Sequence, residues 1–179
     1  KVFAIGDPEH GRDLPRLPSA AEEAKVVGDR TLLGADSTEG AFRRVAQDPW
    51  RSIHLACHGL MDQSYPFASG LVPKPAPPDD GLLQAREILH LRLRTDLVVL
   101  SACESGRGKN YRGEGVLGLA RALMYAGCPR VIVSAWKVDD DATKALMTRF
   151  YELMLEYQDS FKAEWQRLRQ ELDASAPAA

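Results

Sequence analysis

The chain has 179 residues, of which 45% are hydrophobic and 27% charged. That is enough apolar material for one domain with a full core, and it excludes wholesale disorder. Lys and Arg total 23 against 25 Asp and Glu, and this near balance argues against a dedicated nucleic-acid binder, which carries a clear basic excess.

Val2-Phe3-Ala4-Ile5 reads as a first strand, closed by the turn signal Gly6-Asp7-Pro8. Ser19 with Glu22 has the spacing of a capping box and predicts a helix through about Val27. Thr31-Leu32-Leu33 reads as a minor strand, and Ser37 or Thr38 opens a helix to about Ala46. Ser52 to Cys57 is a compact strand stopped by His58-Gly59. Residues 62–81 are loop-like, because Pro66, Pro73, Pro75, Pro77 and Pro78 forbid a central strand there. A short edge strand fits only around Gly70-Leu71-Val72, and Gln84 to Leu91 reads as a short helix.

Asp96 to Ser101 is β-branched and continuously apolar, the pattern of a strand covered on both faces. A glycine-rich loop follows from Cys103 to Gly113, then a helix from Glu114 to Ala126, ended by Gly127 and Pro129. Arg130 to Ala135 is the next strand. Asp139 to Tyr157 is an amphipathic helix with Leu146, Met147, Phe150, Tyr151 and Met154 on its apolar side. A separate last helix carries Phe161, Trp165, Leu168 and Leu172 before a frayed tail. The expected division is a domain over residues 1–157 and a C-terminal helix and tail over 158–179, packed on the same domain.

Strands alternate with helices, so the expected fold is α/β: a mostly parallel central sheet with helices on both faces and right-handed crossovers. Sites in such sheets lie beyond the carboxyl ends of the strands. The groups delivered to that rim are Asp7, His58, Cys103, and Trp136 with Asp139, Asp140 and Asp141. Cys103 and His58 are the pair able to do chemistry. A thiolate is a strong nucleophile, and an imidazole can take or return its proton. The N–H groups of Gly59 and Cys103 are the candidate oxyanion donors. Arg107, Lys109 and Arg112 follow the thiol and would favour its thiolate. The plainer alternative makes Cys103 a small buried hydrophobe and His58 a satisfied loop residue.

The wording around these residues is more specific. Ile53-His54-Leu55-Ala56-Cys57-His58-Gly59 and Leu97-Val98-Val99-Leu100-Ser101-Ala102-Cys103-Glu104-Ser105-Gly106 resemble the two signatures of the CHAT domain, of the caspase–separase group of cysteine peptidases. The resemblance continues through Gly113-Glu114-Gly115, Leu117 to Ala122, Ala126-Gly127 and Val133 to Asp140, and includes the opening Ile5-Gly6-Asp7-Pro8. It covers about residues 2–157. It implies a caspase-like three-layer sandwich, a His58–Cys103 dyad acting through an acyl-enzyme, and no metal or organic cofactor. Some members of the group cut after basic residues, which makes Asp139 and Asp140 candidates to line a substrate pocket, with Asp7 and Trp136 beside them. The resemblance also implies a protein substrate, flanking tetratricopeptide or other helical repeats, and in some members a role in bacterial defence or signalling. The runner-up is a CHAT domain that is catalytically silent or waits for a partner.

Other signals carry less. Three cysteines without a C-x-x-C pair suit a reducing, cytoplasmic compartment rather than a disulfide framework. No apolar run approaches the roughly 18 residues of a membrane span, and a start at Lys1 reads as a domain cut from something longer. His54 and His58 are four apart, but on a strand that spacing is over 12 Å at roughly 3.3 Å per residue, too far to share a metal. Gly108-Lys109 fails as a phosphate loop, with Cys103 and Asn110 at positions that need Gly and Ser or Thr. Cys57 should point away from His58 into packing. A flavodoxin-like ligand binder is the third reading, and it requires a bound anionic cofactor.

Overall fold

The computed structural model describes residues 1–62, 64–101, 114–134 and 139–175. Five strands form one parallel sheet: β1 (Val2–Gly6), β2 (Arg30–Leu33), β3 (Pro49–Ala56), β7 (Arg94–Leu100) and β8 (Val131–Val133), in the order β2-β1-β3-β7-β8. Between β3 and β7 the chain lays down a small antiparallel sheet of β4 (Gly59–Leu60), β5 (Gly70–Leu71) and β6 (Leu83–Gln84). The strand read at residues 70–72 is thus the middle strand of a second sheet, a pairing that two-residue strands leave no periodic trace of.

The helices are α1 (Pro18–Val27), α2 (Glu39–Val45), α3 (Ala85–Ile88), α4 (Glu114–Tyr125) and α5 (Asp140–Ser175). Alternate residues of each strand serve opposite faces of the sheet. Phe3, Ile5, Ile53, Leu55, Val98 and Leu100 pack with Phe42 and Val45 of α2, Ile88 of α3, and Leu119 and Leu123 of α4. Val2, Ala4 and Val99 pack with Ala24 and Val27 of α1 and Tyr151 of α5. This is a three-layer α/β sandwich, as the strand–helix alternation predicts.

Local chemistry explains the starts of α2 and α3. Thr38 caps α2 through its hydroxyl, which accepts from the Ala41 N–H at 3.1 Å. Gln84 and Glu87 form the capping box of α3. The capping box read at Ser19 does not form: the helix starts at Pro18 after Leu17, without a side-chain cap. The Ser19 N–H donates instead to Asp140 at 3.0 Å, and its hydroxyl bonds Asp141. The acids that open α5 therefore cap α1 from outside, which no local pattern reveals.

The two helices expected after residue 139 are one, α5, of 36 residues. Asp159-Ser160 brings no glycine or proline to break it, and the Ser160 hydroxyl bonds back to the carbonyls of Glu156 and Tyr157. Its inward face is Thr143, Met147, Phe150, Tyr151 and Met154. Leu146, expected among them, is 63% exposed because it falls outside that 143–147–150–154 stripe. No helix among the described residues is long and apolar enough to cross a membrane.

Candidate active site

In this strand order the winding reverses between β1 and β3, and the carboxyl ends at such a reversal are where α/β sheets place their sites. β1 delivers Asp7 to it and β3 delivers His58. The register pairs Gly6 with Ala56, and the Asp7 N–H donates to the Ala56 carbonyl at 3.1 Å. Asp7 has a left-handed φ of 42°, a conformation that Asp tolerates better than most side chains.

His58 is 4% exposed. Its Nε2 lies 2.7 Å from the Pro15 carbonyl oxygen. A carbonyl only accepts, so Nε2 carries the proton, and in the neutral ring Nδ1 is the basic nitrogen. The His10 ring meets the His58 ring edge to face, 5.2 Å between centroids. Burial lowers the His58 pKa below the usual 6.5, the Pro15 hydrogen bond opposes this, the His10 charge adds to it, and the charges of Asp7 and Asp140 oppose it. The imidazole is therefore held as a neutral base near pH 7. Gly59, in β4, is buried directly after it.

The acids fare differently. The Asp7 carboxylate accepts from Arg16 Nε at 3.0 Å, Arg16 Nη2 at 2.6 Å and the Leu17 N–H at 2.8 Å. Asp140 accepts from the Ser19 N–H, and burial raises its pKa against that bond, with Glu23, Asp141 and Asp7 raising it further. Asp139 is exposed and accepts from the Ala142 N–H at 3.1 Å, the role of a cap on α5. Asp7 and Asp140 thus act on His58 through their charge, while Asp139 opens the helix that carries Asp140. Cys103, Trp136, Arg107, Lys109 and Arg112 lie outside the described residues. In the chain, Cys103 and His58 each come three residues after a member of the paired Leu55–Leu100 register on the adjacent strands β3 and β7.

The remaining candidates are structural. Cys57 is buried in the core, as its strand position predicts, with its thiol pKa pushed up to about 12 by burial. Cys128 is buried, its pKa also raised by burial, and its thiol donates to the Arg130 carbonyl at 2.9 Å. His54 is fully buried against Glu23. Sequence reasoning missed His10, Pro15 and Arg16. They lie in a segment without periodicity, and the one hint was an arginine after a proline shortly beyond the Asp7-Pro8 turn.

Comparison with known proteins agrees with the fold and the motifs. Two relatives, both named Tetratricopeptide repeat protein 28, from Mus musculus and Homo sapiens, are each 38% identical over 74 residues. That stretch is 41% of this chain and 3% of theirs, so the chain corresponds to a small part of those proteins. The family described as CHAT domain matches residues 1–177, essentially the whole length. With a parallel sheet of caspase-like layering beneath those motifs, the chain belongs to the CHAT domain family.

Proposed function

We propose that this domain is a cysteine endopeptidase working through His58 and Cys103. The observation that carries this reading is the state of His58. It is buried at the strand-order reversal, its Nε2–H is committed to Pro15, and its ring is kept neutral with the basic lone pair on Nδ1. An imidazole so held can take the Cys103 proton at Nδ1. The thiolate sulfur then attacks a peptide carbonyl carbon, and the N–H groups of Gly59 and Cys103 receive the oxyanion. The imidazolium returns its proton to the leaving amine, and the C–N bond breaks. Water, deprotonated by His58, then hydrolyses the thioester and frees the sulfur.

A basic residue suits the substrate side, because the Asp7 and Asp140 carboxylates lie within electrostatic reach of His58. Asp140, Asp139 and Trp136 are proposed to receive it, and Asp7 would join them only by releasing Arg16. The relatives' name supports a setting of flanking tetratricopeptide repeats, and buried unpaired thiols suit a reducing cytoplasm. The test is covalent labelling by an arginyl peptide bearing a cysteine-directed electrophile, with Cys103→Ala and His58→Ala as controls. Adducts on Cys103 that vanish in both variants are expected. Equal labelling with and without His58 would overturn the dyad and leave a scaffold domain.

A further inference from the structure

We propose that Asp7 and Arg16 are positioning residues for His58: their ion pair anchors the segment whose Pro15 carbonyl holds the imidazole. This rests on the peptidase reading for what the imidazole does.

The geometry forms one continuous chain of bonds. Asp7 is tied to β3 by its own N–H on the Ala56 carbonyl, two residues before His58. Its carboxylate gathers the Arg16 fork and the Leu17 N–H, and Arg16 Nη2 also reaches the Asp7 carbonyl at 3.5 Å. The next carbonyl back along the chain, that of Pro15, accepts from His58. Residues 7–17 hold no helix or strand, so side-chain bonds must fix the path. Pro15 has a ring-locked φ, so holding residues 16 and 17 sets where its carbonyl points. The result is a closed loop from β1 through Arg16 to β3.

The rival role for Asp7 is to receive a basic substrate side chain. A carboxylate offers about four lone-pair sites. Arg16 and Leu17 together make four contacts with the two oxygens. The Asp7 side chain is 7% exposed, against 56% for Arg16, so the carboxylate lies beneath its partner rather than open to a ligand. The number and burial of these bonds favour an internal function.

Asp7→Asn is the cleanest variant, since Asn tolerates the left-handed backbone and removes only the charge. Arg16→Gln removes the cation, and Arg16→Lys keeps it without the fork. On the full chain with labelled histidine, NMR of the wild type should show a solvent-protected Nε2–H for His58. We expect that proton to exchange freely in Asp7→Asn and Arg16→Gln and to be partly protected in Arg16→Lys, with unchanged amide signals in β1 and β3. For matched basic and neutral peptides, kcat should fall about 10- to 100-fold alike in the first two variants, the scale of a mispositioned general base, with little change in KM. A protected His58 proton in Asp7→Asn, with KM raised for the basic peptide alone, would overturn the proposal and make Asp7 a specificity residue. Absence of turnover in the wild type would count against the peptidase reading, while the histidine spectrum would still decide the positioning role.

Discussion

Glu23 of α1 and His54 of β3 meet inside the protein, Oε1 2.6 Å from Nε2, with both side chains almost wholly out of solvent. A single tautomer satisfies the whole set of bonds. With a proton on Nε2, Glu23 accepts it and Nδ1 can accept from the Tyr151 hydroxyl at 3.4 Å, whose oxygen can accept from Ser52 at 3.0 Å. Burial pushes the Tyr151 pKa up to about 12, so it stays a donor. The chain of four joins α1 and α5 to the sheet below His58.

Breaking it should cost stability. Removing one partner of a buried hydrogen bond typically costs about 1–3 kcal/mol, and each kcal/mol shifts the melting point of a domain this size by about 2–4 °C. Glu23→Leu should therefore melt several degrees lower, and Glu23→Gln, which retains an acceptor, should lose less. Calorimetry of the three proteins checks this, and equal melting points would mean that the pair contributes nothing.

The His58 pKa lies below 6.5, which fixes two signs. Between its folded value and 6.5 the unfolded chain binds more protons, so this group's contribution to stability falls as pH drops through that window and levels off below it. Under the peptidase reading, the acid limb of kcat/KM should have its midpoint below 6.5. His10→Asn removes the neighbouring imidazole whose charge depresses His58, and should raise its pKa. Histidine NMR titration reads this directly, and a fall or no change would refute the assigned cause.

The packing of α1 against β1 makes another prediction. A Cβ on Gly6 would lie 2.6 Å from the Ala20 carbonyl oxygen and 2.7 Å from the Ala24 Cβ. Backbone cannot yield cheaply, and such overpacking costs about 1–3 kcal/mol. Gly6→Ala should lower the urea midpoint without changing the slope. Gly40→Ala in α2 should do the opposite, by up to about 1 kcal/mol, because its nearest neighbours are the side-chain tips of Asp79 and Arg44 at 3.4 and 3.6 Å. Equal midpoints for the two variants would contradict the argument.

These examples show which parts of the molecule a sequence discloses. β-branched runs such as Asp96–Ser101 announce buried parallel strands, and the strand ends then place Asp7 and His58 on one rim. The Gly6-Asp7-Pro8 turn was visible, but not that Arg16, nine residues on, would close over Asp7. That pairing depends on a path through prolines without periodicity. Asp140 likewise read as a cap for its own helix, yet its carboxylate serves Ser19 across 121 residues. Contacts of this range carry no local signature.

Thiol reactivity gives the most direct check on the dyad. At pH 8 a thiol with a pKa of about 12, as for Cys57, is roughly one part in ten thousand thiolate, whereas an unperturbed one near 8.5 is roughly a quarter thiolate. Cys128 is also buried and pushed up. In the native protein, iodoacetamide should therefore modify Cys103 well before the other two, and all three cysteines should react in urea. If His58 and Cys103 share a proton, the imidazolium stabilises the thiolate and Cys103 should alkylate at a lower pH than a free thiol. His58→Ala should then move the alkylation profile upward, with the slow sites unaffected. A Cys103 profile that is the same with and without His58 would separate the two residues, and the proposed chemistry would go with them.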